Sequence, residues 1–171
     1  EYNKLINRRL LNEPIAYITN KSEFMGIDFY INNNVLIPRP ETETLVELVI
    51  DYIGENKNLT ILDMCTGSGC IPISLSKYCN NLNILALDIS EDALNIAKKN
   101  DINNNIYFFK SDMFKNIPKK YKNNLDIIIS NPPYIETSVI DTLEENVKKY
   151  EPIIALDGKE DGLYFYREIS N

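Results

Sequence analysis

The chain has 171 residues, enough for one domain with a real core, and its 44% hydrophobic and 25% charged residues mark it as globular. A formal charge of −7 disfavours a protein that grips duplex DNA through its phosphates, and the absence of histidine removes His-based triads and most zinc sites. Cys65, Cys70 and Cys79 match no metal spacing and read as small thiols in a reducing compartment; no apolar stretch reaches membrane-spanning length.

Residues 1–11 set Leu5, Ile6, Leu10 and Leu11 among basic residues. They read as the tail of a helix that begins outside this chain, which starts with Glu rather than Met and is expected to be a fragment. Residues 15–37 alternate weakly (Phe24, Ile27, Phe29, Ile31) around Gly26 and predict a β-hairpin, with Asn32-Asn33-Asn34 as turn residues and Val35-Leu36-Ile37 following. Pro38-Arg39-Pro40-Glu41-Thr42-Glu43 then breaks the strand and starts a helix. Pro40 suits the first helical position, and Glu41 and Glu43 suit the positive end of the dipole. Leu45, Leu48, Val49, Tyr52 and Ile53 repeat at helical spacing, and Gly54 suits the stop. Arg39 and Glu41 sit at a rigid kink, where a solvated cap is as good a reading as a functional one.

Thr60-Ile61-Leu62-Asp63 predicts a short strand that runs into Met64-Cys65-Thr66-Gly67-Ser68-Gly69 and then a helix with Pro72 in its first turn. Strand, glycine loop and helix make the first unit of a Rossmann-like sheet. The loop has no Lys for phosphates and lacks the three-glycine dinucleotide spacing. Asn83–Asp88 predicts the second strand, and an acid at its end commonly accepts hydrogen bonds from a ribose diol; a plain turn residue is the alternative for Asp88. Ser90 caps the next helix. Ile106–Phe109 predicts a third strand, ending at Ser111-Asp112-Met113-Phe114, where Asp112 and Met113 offer a carboxylate and an apolar lid to an adenine.

The fourth strand runs from Leu125 through Ile127-Ile128-Ile129 and stops at Ser130-Asn131-Pro132-Pro133-Tyr134. A short apolar run ended by breakers reads as a buried parallel strand, and the prolines hold Asn131 extended or in a turn just past its end. The Asn131 amide and the Pro132 carbonyl are two acceptors side by side, and Tyr134 adds a flat face. Together they suit a planar –NH2 group. Asn-Pro-Pro alone is an ordinary turn; Tyr134 and the preceding strand favour the binding role. After Tyr134 a helix is expected to Tyr150, then Glu151-Pro152, an apolar segment, an Asp157-Gly158 turn and a closing segment from Gly162.

Four strand ends converge, which suggests a nucleoside cofactor held without a phosphate grip, beside an amine-binding tetrapeptide. S-adenosylmethionine and an amino group answer that description. The sequence resembles the HemK/PrmC methyltransferases, which methylate the glutamine amide nitrogen of the Gly-Gly-Gln motif in class I peptide-chain release factors. The resemblance rests on Glu13–Ile18, Val35–Glu43, Ile61–Gly69, Asp88-Ile89-Ser90, Ser111–Phe114, Asn131–Tyr134, and Tyr150–Pro152 with Asp161–Leu163. Asn-Pro-Pro-Tyr alone is shared with adenine-N6 DNA methyltransferases, the nearest rival; a non-catalytic cofactor-binding scaffold is another.

The resemblance implies an α/β fold, a Rossmann-like class I S-adenosylmethionine-dependent sheet preceded by a β-hairpin and incomplete at its C-terminal strands. Residues 1–40 would be the tail of a helical region plus the hairpin, and 41–171 the catalytic domain. It implies that Cys65, Thr66, Gly67, Ser68 and Gly69 cradle the methionine part of the cofactor, that Asp88 binds its ribose, and that Met113 packs on adenine with Asp112 near. Asn131, at the cofactor's edge too, would hold the glutamine side chain with Pro132, Pro133 and Tyr134. It implies a cytoplasmic enzyme whose partners are release factors, with no membrane and no direct DNA binding. Two departures stand out: the family often has Gly where this chain has Cys65, and an aromatic residue where it has Met113.

Overall fold

Continuous apolar runs suit strands covered on both faces, and four such runs pair in parallel in the computed structural model, which describes residues 1–54 and 58–170. They are β3 (Thr60–Met64), β4 (Asn83–Asp88), β5 (Ile106–Lys110) and β6 (Ile127–Ser130), in the order β5-β4-β3-β6. From β3 the chain steps outward to β4 and β5, then returns to the opposite side of β3. Asp126, just ahead of β6, exchanges two bonds with Thr60: its N–H donates to the Thr60 carbonyl (2.9 Å) and its Oδ2 accepts from the Thr60 N–H (2.7 Å). That exchange sets the register Ile61↔Ile127.

Alternation along the strands divides the core. Ile61, Ile84, Ala86, Ile106 and Ile129 face one side, under α3 (Glu41–Ile53), α4 (Cys70–Tyr78) and α5 (Glu91–Asn100). Leu62, Met64, Leu85 and Leu87 face the other, with Phe165 and Ile169 of α7 (Tyr164–Ser170) against them. Ser90 caps α5 as expected, its hydroxyl accepting the Ala93 N–H at 3.2 Å. At its other end Asn100 accepts the Tyr30 N–H and donates to the carbonyls of Tyr30 and Ser68, all at 2.9 Å. One amide thus ties the N-terminal hairpin to the glycine loop.

Three expectations are corrected. The hairpin of β1 (Lys21–Phe24) and β2 (Ile27–Tyr30) turns at Met25-Gly26, not at the asparagines. Both turn residues have positive φ (51° and 63°), the twist a two-residue hairpin needs. The asparagines make a separate turn, Asn34 N–H to Asn32 Oδ1 at 3.0 Å, and Val35–Ile37 forms no strand. Ahead of the hairpin stand helices α1 (Tyr2–Leu10) and the unforeseen α2 (Ile15–Thr19), whose Tyr17 hydroxyl donates to the Val35 carbonyl at 2.6 Å. Second, α3 is rotated from the expected face: Thr42, Val46 and Ile53 are buried, while Leu48 and Tyr52 are 62% and 75% exposed. Third, the segment after Tyr134 is a 3-10 turn (Thr137–Thr142) and a separate short helix, α6 (Glu145–Tyr150), because Leu143 and Glu144 are extended.

Replacing Asn100 by Ala leaves an N–H and two carbonyls without this partner, and is expected to cost about 2 kcal/mol, measured as a fall in the urea midpoint at unchanged slope.

Candidate active site

Parallel strands leave the backbone groups at their carboxyl ends without ladder partners, and a reversal of strand order opens a crevice there. A cavity of about 340 Å3 lies at that place, with walls from the ends of β3 to β6, the Asn34–Arg39 loop, and Tyr164 and Phe165. Of the expected cofactor residues, Cys65, Thr66, Gly67, Ser68, Asp88, Asp112, Met113 and Asn131 line it, as does Pro133. A second cavity of about 290 Å3 is lined by Leu45, Tyr134 and Tyr166 among others, and shares Arg39, Thr42 and Asn131 with the first.

The glycine loop enters the crevice with unusual backbone angles. Cys65 has φ +62°, a conformation in which a side chain is strained and Gly is at ease. Gly67 has φ +54°, and a Cβ on it would meet no atom within 4 Å, so the chain is bare where a ligand would lie. Gly69 differs. It is off the cavity wall, and a Cβ there would stand 3.1 Å from both Ala97 and Ile73. Its small size serves the packing of the start of α4 on α5.

The Asp88 carboxylate accepts the Gly67 N–H with one oxygen and the Ser90 N–H with the other, both at 2.9 Å. Burial pushes its carboxyl above the usual range, and those N–H groups oppose the shift. Each oxygen keeps a second lone pair for a hydroxyl donor. Asp112 pairs with Lys115 at the rim. Met113 is buried with φ +46°, and the Ser111 hydroxyl donates to its carbonyl at 2.6 Å. Burial pushes the Cys65 and Cys70 thiols up to about 12, so both are protonated at neutral pH. Among the described residues no His, Cys, Asp or Glu cluster could hold a metal.

At β6 the Ser130 hydroxyl donates to the Met64 carbonyl at 2.7 Å, and the Asn131 Nδ2 donates to the Thr42 Oγ1 at 3.1 Å. No donor among the described residues reaches the Asn131 Oδ1. Pro132 is buried and lies on neither cavity wall. Tyr134 is 56% exposed and lines only the second cavity. Its backbone is wedged against two glycines: a Cβ on Gly158 would stand 2.7 Å from the Tyr134 Cα, and one on Gly162 would strike the Tyr134 carbonyl. The Gly158 N–H also donates to the Ile135 carbonyl at 2.7 Å. Arg39 leaves the kink to pair with the buried Glu151 at 2.6 Å, and Glu151 accepts the Ile37 N–H at 3.3 Å. Sequence reasoning missed Thr42 and Glu151 as parts of this region. The only signal for them was their place in the Pro-Arg-Pro-Glu-Thr-Glu and Tyr-Glu-Pro runs.

A parallel sheet that reverses at a nucleoside-sized crevice, with an acid at the second strand end and Asn-Pro-Pro-Tyr at the fourth, defines a Rossmann-like class I methyltransferase fold. The family model of the methyltransferase small domain matches residues 41–154, and the chain belongs to that family. Over its whole length it is 45% identical to the release factor glutamine methyltransferase of Clostridium acetobutylicum, covering 61% of that protein. It is 47% identical to the protein of the same name from Leptospira interrogans, over 91% of this chain and 56% of that one. It therefore spans less than two thirds of either relative. Its fold is like that of the hMettl16 catalytic domain solved with an RNA hairpin, at 22% identity and a TM-score of 0.61, over 84% of this chain and 55% of that one.

Asp63, in the middle of the sheet beneath the loop, is fully buried. Neither of its oxygens makes a hydrogen bond of good geometry among the described residues. Burial pushes its carboxyl up to about 8, the nearby Thr66 hydroxyl opposing and the Asp88 charge adding. Between the ordinary carboxylate range and about 8, the folded state holds a proton that the unfolded state has released. The contribution of this carboxyl to stability is therefore fully present below the ordinary carboxylate range and falls as pH rises to about 8. The wild-type urea midpoint is expected to drop between pH 5 and pH 8.5, and Asp63→Asn to flatten that slope.

Proposed function

We propose that this chain carries the catalytic part of a release factor glutamine methyltransferase. The reaction is methyl transfer from S-adenosylmethionine to the side-chain amide nitrogen of the glutamine in the Gly-Gly-Gln motif of class I release factors. The observation that carries this reading is the position of Asn131: it stands where the two cavities meet, its Nδ2 engaged and its Oδ1 without a donor among the described residues. The two relatives named for this activity support the same substrate.

The large cavity suits the cofactor. Gly67 leaves bare backbone where a ligand would lie, and three acids, Asp63, Asp88 and Asp112, stand beneath or on its walls. No Lys belongs to the glycine loop, as fits a ligand without phosphates. S-adenosylmethionine, when bound, supplies an electrophilic methyl group on a positively charged sulfur. The Asp88 oxygens accept from the ribose hydroxyls, Met113 packs on the adenine, and Cys65 to Ser68 follow the methionine part.

The smaller cavity takes the glutamine side chain. An amide nitrogen is a poor nucleophile because its lone pair is delocalised. The Asn131 Oδ1 and the Pro132 carbonyl accept from the same –NH2 group, fix its direction and draw density onto nitrogen. Pro132 is off both walls, but it lies between Asn131, which is on both, and Pro133, which is on the wall of the larger cavity. Tyr134 lies along the amide plane. Two acceptors of this kind need no histidine: the amide nitrogen takes the methyl group as the S–CH3 bond breaks, and the extra proton on nitrogen then passes to water. Effective alignment places the reacting atoms about 3–3.5 Å apart. Residues 1–40 are the tail of a helical region plus the β-hairpin linker, and 41–171 the catalytic domain. The partners are the release factors, and the setting is the cytoplasm, where they act.

Labelling with methyl-tritiated cofactor tests the reading. Asn131→Ala is expected to lower transfer to a recombinant release factor by roughly a hundredfold, while calorimetry shows that S-adenosylhomocysteine still binds. Normal turnover in that variant, or label on duplex DNA and none on the release factor, overturns it.

A further inference from the structure

A side-chain amide fits the same space in two orientations, one presenting its oxygen and the other its –NH2. For Asn131 the choice decides whether the site accepts a hydrogen bond from its substrate or donates one. Only the first orientation suits an incoming –NH2 group. The prolines after Asn131 hold its backbone, but they leave this rotation free.

Thr42 supplies the constraint. It is 8% exposed, in the first turn of α3, and its hydroxyl oxygen accepts the Asn131 Nδ2 at 3.1 Å. Thr42 and Asn131 both line the large and the small cavity, so the bond sits at their junction. A helical Thr hydroxyl can turn its hydrogen back to a carbonyl one turn earlier, which leaves only its oxygen, an acceptor, for a neighbour; in this helix that oxygen takes the Asn131 Nδ2. The start of α3 is anchored on two sides. The Thr42 N–H donates to the Arg39 carbonyl at 3.0 Å, and Arg39 is paired with buried Glu151. On the other side the Glu43 carboxylate accepts the Met25 N–H at 2.6 Å, so the hairpin turn holds the same helical turn.

We propose that Thr42 is a positioning residue for the methyl acceptor. By engaging the –NH2 end of Asn131, it points the carbonyl oxygen at the reacting amine and makes the site selective for substrates that bring N–H donors, such as a primary carboxamide. This rests on the role given to Asn131 above. It adds a residue from a helix 89 positions away in sequence to the machinery of the tetrapeptide.

Two variants test it. Thr42→Val keeps the shape and loses the hydroxyl; Thr42→Ser keeps the hydroxyl. In the valine variant kcat is expected to fall about fivefold, the factor a typical net hydrogen bond represents, with S-adenosylhomocysteine affinity unchanged. The serine variant is expected to recover most of the rate. A purely structural role would instead lower the melting temperature and leave kcat alone. The second readout needs no turnover: the Asn131 side-chain amide protons, assigned by their loss in Asn131→Asp, should exchange faster with water in Thr42→Val and stay protected in Thr42→Ser. Unchanged amide exchange in the valine variant, or a wild-type kcat, overturns the proposal. A protein that shows the exchange difference yet labels no release factor counts against the substrate and for the Thr42 contact.

Discussion

When a parallel strand ends, its last backbone groups lose their ladder partners, and they must find others or face a ligand. In this protein the constraint is sharpest at β6, which joins the sheet on the side of β3 opposite to β4. The chain turns away on both sides of that seam. The large cavity takes wall residues from the segments that follow both β3 and β6, and the small one takes Ser130 and Asn131 at the end of β6. Everything that bears chemistry is placed by these strand ends. The glycine loop leaves β3, Asp88 ends β4, Met113 follows β5 and Asn131 follows β6.

Around the crevice, polar groups are buried with partners of unequal quality. Glu151 is held by a guanidinium and a backbone N–H, and Asn100 satisfies three backbone groups. Both join segments far apart in the chain, and both bear on the walls of the site through Arg39 and Ser68. Asp63 has no such partner among the described residues. A buried acid avoids the cost of an unpaired charge by keeping its proton, which is why the sheet tolerates it at neutral pH. The glycine pair at 158 and 162 does a different job. It lets the loop after Leu156 close on the Tyr134 backbone, so that the tetrapeptide is held from behind at its last residue.

Much of the central sheet was legible because it depends on local pattern. Unbroken apolar runs at 60, 83, 106 and 127, each stopped by polar or breaking residues, became the four parallel strands. Ser90 and Gly54 marked helix ends through their own capping chemistry. The hairpin was harder. The asparagines carry a stronger turn signal than Met25-Gly26, yet the shorter turn matches the strand twist and is fastened by the Glu23 and Glu43 carboxylates. The face of α3 was misread because Leu48 and Val46 are equally apolar, and only the neighbours of the helix decide which is covered.

Within the site, the residue types and their order along the chain were decided by the sequence: breakers after apolar runs, an acid after the second strand, and Asn-Pro-Pro-Tyr after the fourth. These are local choices of backbone freedom and side-chain chemistry, so they can be seen without a fold. The tertiary structure alone decided that Gly69 serves helix packing, that Tyr134 rests on two distant glycines, and that Asn131 meets Thr42. Each of those depends on two segments brought together across the sheet, and no periodicity in a single chain records which residues will meet there.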